Sequence, residues 1–165
     1  MPIKIIRQDI TKIKCDAIVA PTDVRCSHGG GADADIHETA GVELYHACAE
    51  QGFLEVGKAI ITPGFALTCK YVIHTVGPRW HGGENGEEEI LRNCYRESLK
   101  LAIANKCKSL AIPLIASGVS ASQRIRSSKS RLTRSAIFFL RMRCSSILLC
   151  STRHHIRSVK SFSLI

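Results

Sequence analysis

The sequence predicts an α/β fold in which helices are layered on a largely parallel sheet. Three observations carry this prediction. Short β-prone runs alternate with amphipathic helical segments through residues 1–119, turn-forming Gly and Pro residues separate several of them, and 165 residues are enough for one core but too few for two. One compact domain is therefore expected.

The predicted strands are short runs rich in β-branched residues. They span residues 3–7, 17–19, 58–62, 71–76 and 110–115. Two of these runs are followed directly by Pro63-Gly64 and Gly77-Pro78, which mark turns.

Two segments have the apolar spacing of helices. Residues 33–50 are predicted as one helix, because apolar residues such as Ile36 and Leu44 recur on one face. Residues 87–105 are predicted as a second helix, whose first turn begins with three Glu residues that favour the helix dipole.

Neither a membrane span nor a secretory signal is expected. The longest apolar candidate, residues 136–150, is interrupted by Arg141 and Arg143 and falls short of the roughly 18 apolar residues of a spanning helix. The first nine residues alternate apolar and charged side chains and lack a cleavage site. The protein is therefore expected in the cytoplasm, without a membrane partner.

The cysteine and histidine patterns do not indicate a metal site. The eight cysteines are widely spread and contain no C-x-x-C pair. Several lie in apolar periodic segments, where a free thiol behaves as a small hydrophobe. His28, His74 and His81 lack the short ligand spacing of a zinc site. We expect structural thiols, no metal and no cofactor.

The formal net charge of +9 comes entirely from the C-terminal part of the chain. Residues 1–119 contain 13 Lys and Arg against 14 Asp and Glu, whereas residues 120–165 contain 10 Lys and Arg and no acid. This tail also has 12 Ser but no Gly and no Pro, so it lacks turn signals. A basic tail permits nucleic-acid binding, whose signature is a steep salt dependence.

The most informative segment joins the second predicted strand to the first predicted helix through a triple glycine, Gly29, Gly30 and Gly31. Bare backbone N–H groups at the start of a helix can receive a phosphate. A flexible turn is the alternative interpretation of the same glycines.

This segment resembles the macrodomain family, which has here a strand, an Asn-Ala-Ala-Asn loop, a Gly run and then Val-Asp-Gly and Ile-His. Asp23 takes the position of the second Asn, and Asp33 takes the acidic position after the glycines. Residues 8–11, 72–80 and 112–119 resemble three further segments of the family in the same order. The resemblance implies a three-layer α/β/α macrodomain over residues 1–119 that recognises ADP-ribose or ADP-ribosylated protein.

The resemblance also implies ligand-binding residues. Asp9 accepts a hydrogen bond from the adenine amino group and the Ile10 backbone amide helps at the ring, with turn capping as the alternative role of Asp9. The triple glycine lets the backbone approach the diphosphate and the distal ribose, since a Cβ there would collide. A further set belongs to the second phosphate loop, namely Ser117, Gly118 and Val119.

The implied catalytic residues are Asp33 and Asp23. Asp33 positions or activates water at the distal ribose, as in the hydrolytic members that cleave ADP-ribose from acidic side chains or deacetylate O-acetyl-ADP-ribose. Its alternative role is that of an acid stabilised by the helix dipole. We expect His37 to be a packing residue outside the catalytic set.

The sequence departs from the family pattern at the loop itself. Ala20 and Asp23 replace two amides that can donate to ribose hydroxyls, and a carboxylate near a diphosphate is repulsive. His28 stands where the family has a Gly. Hydrolase activity of this chain is therefore expected to be weak or absent, and a non-catalytic ADP-ribose reader is the main alternative.

The tail after Val119 is interpreted as out of frame. The family continues with an aromatic-Gly-aromatic-Pro-Lys loop, which GTN TTC GGC TTC CCA AAG GAT CAG encodes as Val-Phe-Gly-Phe-Pro-Lys-Asp-Gln. Loss of the third base gives GTT TCG GCT TCC CAA AGG ATC, the observed Val-Ser-Ala-Ser-Gln-Arg-Ile. Residues 120–165 are accordingly expected to be aberrant and to leave one edge and one face of the sheet uncovered. Nucleic-acid binding by the tail ranks last, because a frame change explains the charge.

Overall fold

The computed structural model describes residues 3–6, 8–27, 29–115 and 146–150. These residues contain a six-stranded sheet with the strand order β1-β6-β5-β2-β4-β3. The strands are β1 Ile3–Ile6, β2 Ala17–Thr22, β3 Ala59–Pro63, β4 Tyr71–Val76, β5 Ser109–Pro113 and β6 Ser146–Cys150. Strand β3 pairs antiparallel with β4 and the other four pairings are parallel, so the predicted mixed, largely parallel sheet is confirmed.

Helices cover the sheet on two sides. They are α1 Ala32–Ala40, α2 Val42–Gln51 and α3 Glu87–Ala104, and a short 3-10 helix spans Ile10–Lys12. Side chains of α3, including Leu91 and Leu99, pack in one buried cluster with Ala17 and Val19 of β2. The alternate β2 residues Ile18 and Ala20 lie in a second cluster, which also contains Ile36, Ala40, Leu44 and Cys48 of α1 and α2. Because successive strand side chains point to opposite faces, β2 lies in the middle of a three-layer α/β/α structure.

The prediction of one helix over residues 33–50 was wrong. Gly41 separates α1 from α2 with φ 91° and ψ −177°, a backbone conformation that residues with a Cβ rarely adopt. Its N–H donates to His37 O, which closes α1, and its carbonyl accepts from Leu44 N, which opens α2. The apolar spacing continues across the break, so periodicity alone could not reveal it.

The run of residues 17–19 was predicted to end at Pro21, but strand β2 includes Pro21 and continues to Thr22. It pairs with β4 along its whole length but with β5 only at Ala17 and Ile18. Beyond Ile18 one side of the strand has left the ladder, which is where a residue without an N–H is tolerated.

One part of the tail does enter the sheet, contrary to the expectation of an uncovered edge. Strand β6 lies between β1 and β5, with Ile147 opposite Ile3 on one side and Leu110 on the other. The run Ile147-Leu148-Leu149 is apolar and β-prone, and ladder hydrogen bonds do not depend on side-chain identity. The remainder of the predicted tail, residues 120–145 and 151–165, lies outside the described residues.

Six cysteines are described and all are free thiols, five of them buried. Burial raises the pKa of the Cys48 thiol to about 12 and that of Cys69 to about 11, so both stay protonated at neutral pH. Among the described helices, none is both long and apolar enough to cross a bilayer.

Candidate functional site

The triple glycine follows β2 at the carboxyl edge of the sheet. Strands β2 and β5 are adjacent and parallel, so the chain leaves both at their carboxyl ends on the same side. In open α/β sheets this is the edge at which ligands bind. We call the described residues 23–27 and 29–31, which follow β2, the glycine loop.

Asp33 lies in the first turn of α1 and faces the glycine loop. Its Oδ2 accepts the Gly29 N–H at 2.9 Å, and the Thr22 hydroxyl donates to the same oxygen at 3.3 Å. The Asp33 side chain has no solvent exposure. The carboxylate therefore ties the end of β2 to the glycine loop.

His37 lies one turn further along α1 and contacts the same carboxylate. Its Nε2 is 3.8 Å from Asp33 Oδ1, and both side chains are fully buried. The His37 ring also packs on Tyr45, with the ring centroids 4.5 Å apart. His37 is a packing residue, as the sequence predicted, and the structure adds its proximity to Asp33, which the i,i+4 spacing on a helix could have indicated.

The three glycines differ in what they require. Gly31 has φ 65° and ψ −131° and precedes α1 as its N-cap. A Cβ on Gly29 would lie 3.0 Å from Asp33 Oδ2, whereas a Cβ on Gly30 would meet no atom of the described residues within 4 Å. Backbone geometry and the Asp33 contact thus account for two of the glycines, and the space beside Gly30 is open.

Asp23 uses its carboxylate within its own loop. Its Oδ1 accepts the backbone N–H groups of Arg25 at 3.0 Å and Ser27 at 2.8 Å, and its Oδ2 accepts the Ser27 hydroxyl. Loss of some solvation alone would raise the pKa of the exposed Asp23, but the hydrogen bonds from Ser27 and Arg25 lower it below its usual value. Asp23 is therefore an ionised residue that orders residues 23–27.

Asp9 caps the 3-10 helix, which is the alternative role considered for it. Its Oδ1 accepts both the backbone N–H and the hydroxyl of Thr11, at 3.0 and 2.7 Å, and its Oδ2 lies 3.6 Å from Lys12 Nζ. Burial opposes ionisation, but Thr11 and Lys12 outweigh it and lower the pKa of Asp9. The neighbouring Ile10 side chain is buried in the core, which fixes the position of this turn.

The second phosphate loop lies outside the described residues, and so do the predicted ligand residues Ser117, Gly118 and Val119 and the departure at His28. The approach to that loop is described. Ile115 N donates to the hydroxyl of the buried Tyr95 of α3 at 3.4 Å. The chain leaving β5 is thereby held against α3.

Among the described side chains, one group of potential metal ligands converges. Its members are His37, Cys48 and His74, all buried, with ligand atoms within 4.8 Å of one another. Burial lowers the pKa of His74 to about 3, with a contribution from His37, so the ring is neutral. The Thr62 hydroxyl is 2.9 Å from His74 Nε2, and Cys48 Sγ is nearly equidistant from both ring nitrogens, at 3.7 and 3.8 Å. A metal ion would have to displace the Thr62 hydroxyl from His74 Nε2 or bind His74 Nδ1 instead. The three residues therefore act as a hydrogen-bonded part of the core.

The comparison with protein families decides between the interpretations of this site. A family model described as Macro domain matches residues 19–129, two thirds of the chain. The chain belongs to the macro domain family. The resemblance seen at the glycine loop is thus confirmed.

Curated relatives of this macro domain protein align with it over 114 to 121 residues. A macro domain-containing protein of Chlorobaculum tepidum is 49% identical over 114 residues, which cover 69% of this chain and 66% of the relative. One of Mesorhizobium japonicum is 49% identical over 117 residues, covering 71% and 66%. An O-acetyl-ADP-ribose deacetylase of Salmonella typhimurium is 46% identical over 121 residues, covering 71% and 68%. The chain spans 66% of the length of the first two relatives.

Solved macrodomain structures agree with the architecture. The Oceanobacillus iheyensis macrodomain with ADP superposes with a TM-score of 0.80 at 33% identity, covering 91% of this chain and 83% of that one. The Trypanosoma brucei macrodomain in complex with ADP-ribose superposes with a TM-score of 0.74 at 31% identity, covering 91% and 62%. Both are likenesses of the whole α/β/α fold.

Proposed function

We propose that this macro domain protein binds ADP-ribose, with the diphosphate against the glycine loop and the adenine near Asp9 and Ile10. The observation that carries the proposal is the glycine loop itself, held by Asp33 at the carboxyl edge of β2 and followed directly by the N-terminus of α1. Related solved macrodomains that carry ADP or ADP-ribose support the choice of ligand. ADP-ribosylated proteins are the corresponding macromolecular partners, and we place the activity in the cytoplasm.

Gly30 provides the sharpest test of this binding mode. Within the part of the chain that the structure describes, a Cβ added there meets no atom within 4 Å, so Gly30→Ala should fold like the wild type. If ADP-ribose packs directly against the backbone of Gly30, the added methyl group overlaps with the ligand. Binding should then weaken about tenfold or more, since overlap in a packed contact costs on the order of 1–3 kcal/mol. Calorimetric titration with ADP-ribose and thermal unfolding without ligand measure the two effects.

Gly82→Ala is the matched control, because Gly82 is another glycine without protein atoms near a Cβ but lies outside the glycine loop. It should leave the affinity for ADP-ribose unchanged, at whatever cost in stability its φ of 120° imposes. Equal affinities of the wild type and Gly30→Ala would contradict contact between the ligand and Gly30. Failure of the wild type to bind ADP-ribose would refute the proposed function.

Hydrolysis of ADP-ribosyl esters is the finer proposal for the same site. The deacetylase name of the Salmonella relative supports it. The engagement of Asp23 within its own loop supports the competing proposal of a non-catalytic reader, because that carboxylate cannot donate to a ribose hydroxyl. Turnover of O-acetyl-ADP-ribose, and of protein mono-ADP-ribosylated on acidic side chains, separates the two. A reader binds these compounds without releasing product.

A further inference from the structure

Thr22 and Asp33 join the end of β2 to the first turn of α1. Thr22 is the last residue of β2, and its hydroxyl lies 3.3 Å from Asp33 Oδ2 and 3.4 Å from Ser27 O. The same Asp33 oxygen accepts the Gly29 N–H at 2.9 Å. One carboxylate oxygen therefore holds the strand end and the glycine loop together.

Both oxygens of the Asp33 carboxylate contact protein groups. A general base has to lie within hydrogen-bond reach of the proton that it abstracts. The Asp33 side chain has no solvent exposure, its Oδ2 bonds to Gly29 and Thr22, and its Oδ1 faces His37 at 3.8 Å. The oxygens of Asp33 are thus directed at the protein.

We propose that Asp33 and Thr22 are positioning residues of the glycine loop. Asp33 Oδ2 and the Thr22 hydroxyl fix the Gly29 amide and, through it, the backbone that faces the diphosphate. This inference rests on the proposed binding of ADP-ribose at the glycine loop and deepens it. What the site needs at residue 33 is a hydrogen-bond acceptor for Gly29 and Thr22, and the negative charge is dispensable.

The two residues allow conservative replacements that separate geometry from charge. Asp33→Asn retains an acceptor oxygen for the Gly29 N–H and directs its NH2 group at His37 Nε2, whereas Asp33→Ala removes the acceptor. Thr22→Ser retains the hydroxyl, whereas Thr22→Val removes it at nearly constant volume. Asp35→Ala is the control, because Asp35 is an exposed acid in the same first turn of α1. It tests whether Asp33 acts only through the helix dipole.

The experiment measures amide hydrogen exchange of Gly29 in the ligand-free full-length protein and the Kd for ADP-ribose by calorimetry. Asp33→Asn and Thr22→Ser should keep the Gly29 protection and the Kd within about threefold of the wild type, in line with a retained hydrogen bond. Asp33→Ala and Thr22→Val should speed Gly29 exchange and raise the Kd, each by about tenfold or more. The Asp35→Ala variant should change neither quantity.

Several results would overturn the inference. Wild-type exchange at Gly29 in Thr22→Val would show that Thr22 does not position the Gly29 amide. Because Thr22 is partly exposed, this variant provides a test even if Asp33→Ala does not fold. Asp33→Asn with a wild-type Kd but turnover reduced by about a hundredfold would show that Asp33 is a general base. If no variant and no wild type binds ADP-ribose while the Gly29 exchange pattern is as expected, the positioning role stands and the proposed function fails.

Discussion

At the scale of single residues, Asp23 and Asp33 are both aspartates on the two sides of the triple glycine but have opposite surroundings. Asp33 is fully buried and bonds across the loop, while Asp23 is exposed and bonds to the backbone next to it. The sequence assigned both to catalysis. Their contacts indicate that both shape the backbone, Asp33 between segments and Asp23 within one.

The charge of Asp23 leads to the first prediction at this scale. Asp23→Asn should strengthen ADP-ribose binding and reduce the dependence of Kd on salt, because it removes a carboxylate near the diphosphate. The amide oxygen can still accept the Ser27 N–H, so the loop should survive the change. Calorimetry at low and high ionic strength measures both quantities. Weaker binding by Asp23→Asn would mean that the carboxylate makes a favourable contact with the ligand.

His74 leads to a second prediction, on stability. Its folded pKa is about 3 and its unfolded value is 6.5, because burial disfavours the charged ring. The unfolded chain therefore takes up a proton that the folded protein does not, so the free energy of unfolding is complete above pH 6.5 and falls as the pH drops from 6.5 toward 3. The expected contribution is up to about 1.4 kcal/mol per pH unit.

Denaturant unfolding between pH 7 and 5 tests this effect above the range in which the carboxylates titrate. Thr62, Cys48 and His37 face the His74 ring, and they stay unchanged in the variants that are compared with the wild type. His74→Gln should reduce the slope of stability against pH, and His46→Gln, at an exposed histidine of α2, should leave it as in the wild type. A slope unaffected by His74→Gln would contradict a neutral His74 in the folded state.

At the scale of elements, the start of α3 anchors the loop that precedes it. The carboxylate of Glu87 accepts the backbone N–H groups of His81 at 2.9 Å, Gly83 at 3.4 Å and Asn85 at 2.7 Å. Its own backbone N–H and that of His81, followed by those of Asn85 and Gly83, lower the pKa of Glu87 to about 2. The acids in the first turn were predicted to favour the helix dipole, and this one also orders a loop.

Glu87→Gln should therefore loosen the loop of residues 81–86. The amide lacks the second acceptor oxygen, so one of the bonded N–H groups loses its partner, and hydrogen exchange at His81 and Asn85 should accelerate with a lower Tm. In the wild type the stabilisation by Glu87 is complete above pH 4.5 and is lost as the pH falls toward 2. Glu84→Gln, at an exposed loop position, is the control, and equal effects of the two variants would refute the anchor.

At the scale of the whole molecule, the C-terminal segment of residues 120–165 both carries the excess positive charge and supplies one strand of the sheet. All of the net positive charge lies in residues 120–165, yet residues 146–150 supply β6 in the middle of the sheet between β1 and β5. The Macro domain match ends at residue 129, within this tail, and the frame change after Val119 stays a prediction.

The corresponding prediction concerns the gene. Restoring one base after the first two bases of the Val119 codon should recover a Phe-Gly-Phe-Pro-Lys loop and a helix with acids, and with them a sharper melting transition, a higher Tm and tighter ADP-ribose binding than the present chain. The two proteins are compared side by side for thermal unfolding and for the rise in Tm with ADP-ribose. Equal melting and equal ligand stabilisation would show that residues 120–165 are a working part of the protein.

The sequence by itself determined the family, the α/β class and most of the elements, because alternation and helical spacing record which faces become buried. The 71–76 strand was predicted to the residue, and the second helix to within one. Only the tertiary structure decided the break at Gly41, the insertion of β6 and the partners of Asp23, Asp33 and Glu87. Each of these features depends on which backbone groups come into contact in the folded protein. A local pattern of residue types along the chain does not record such contacts.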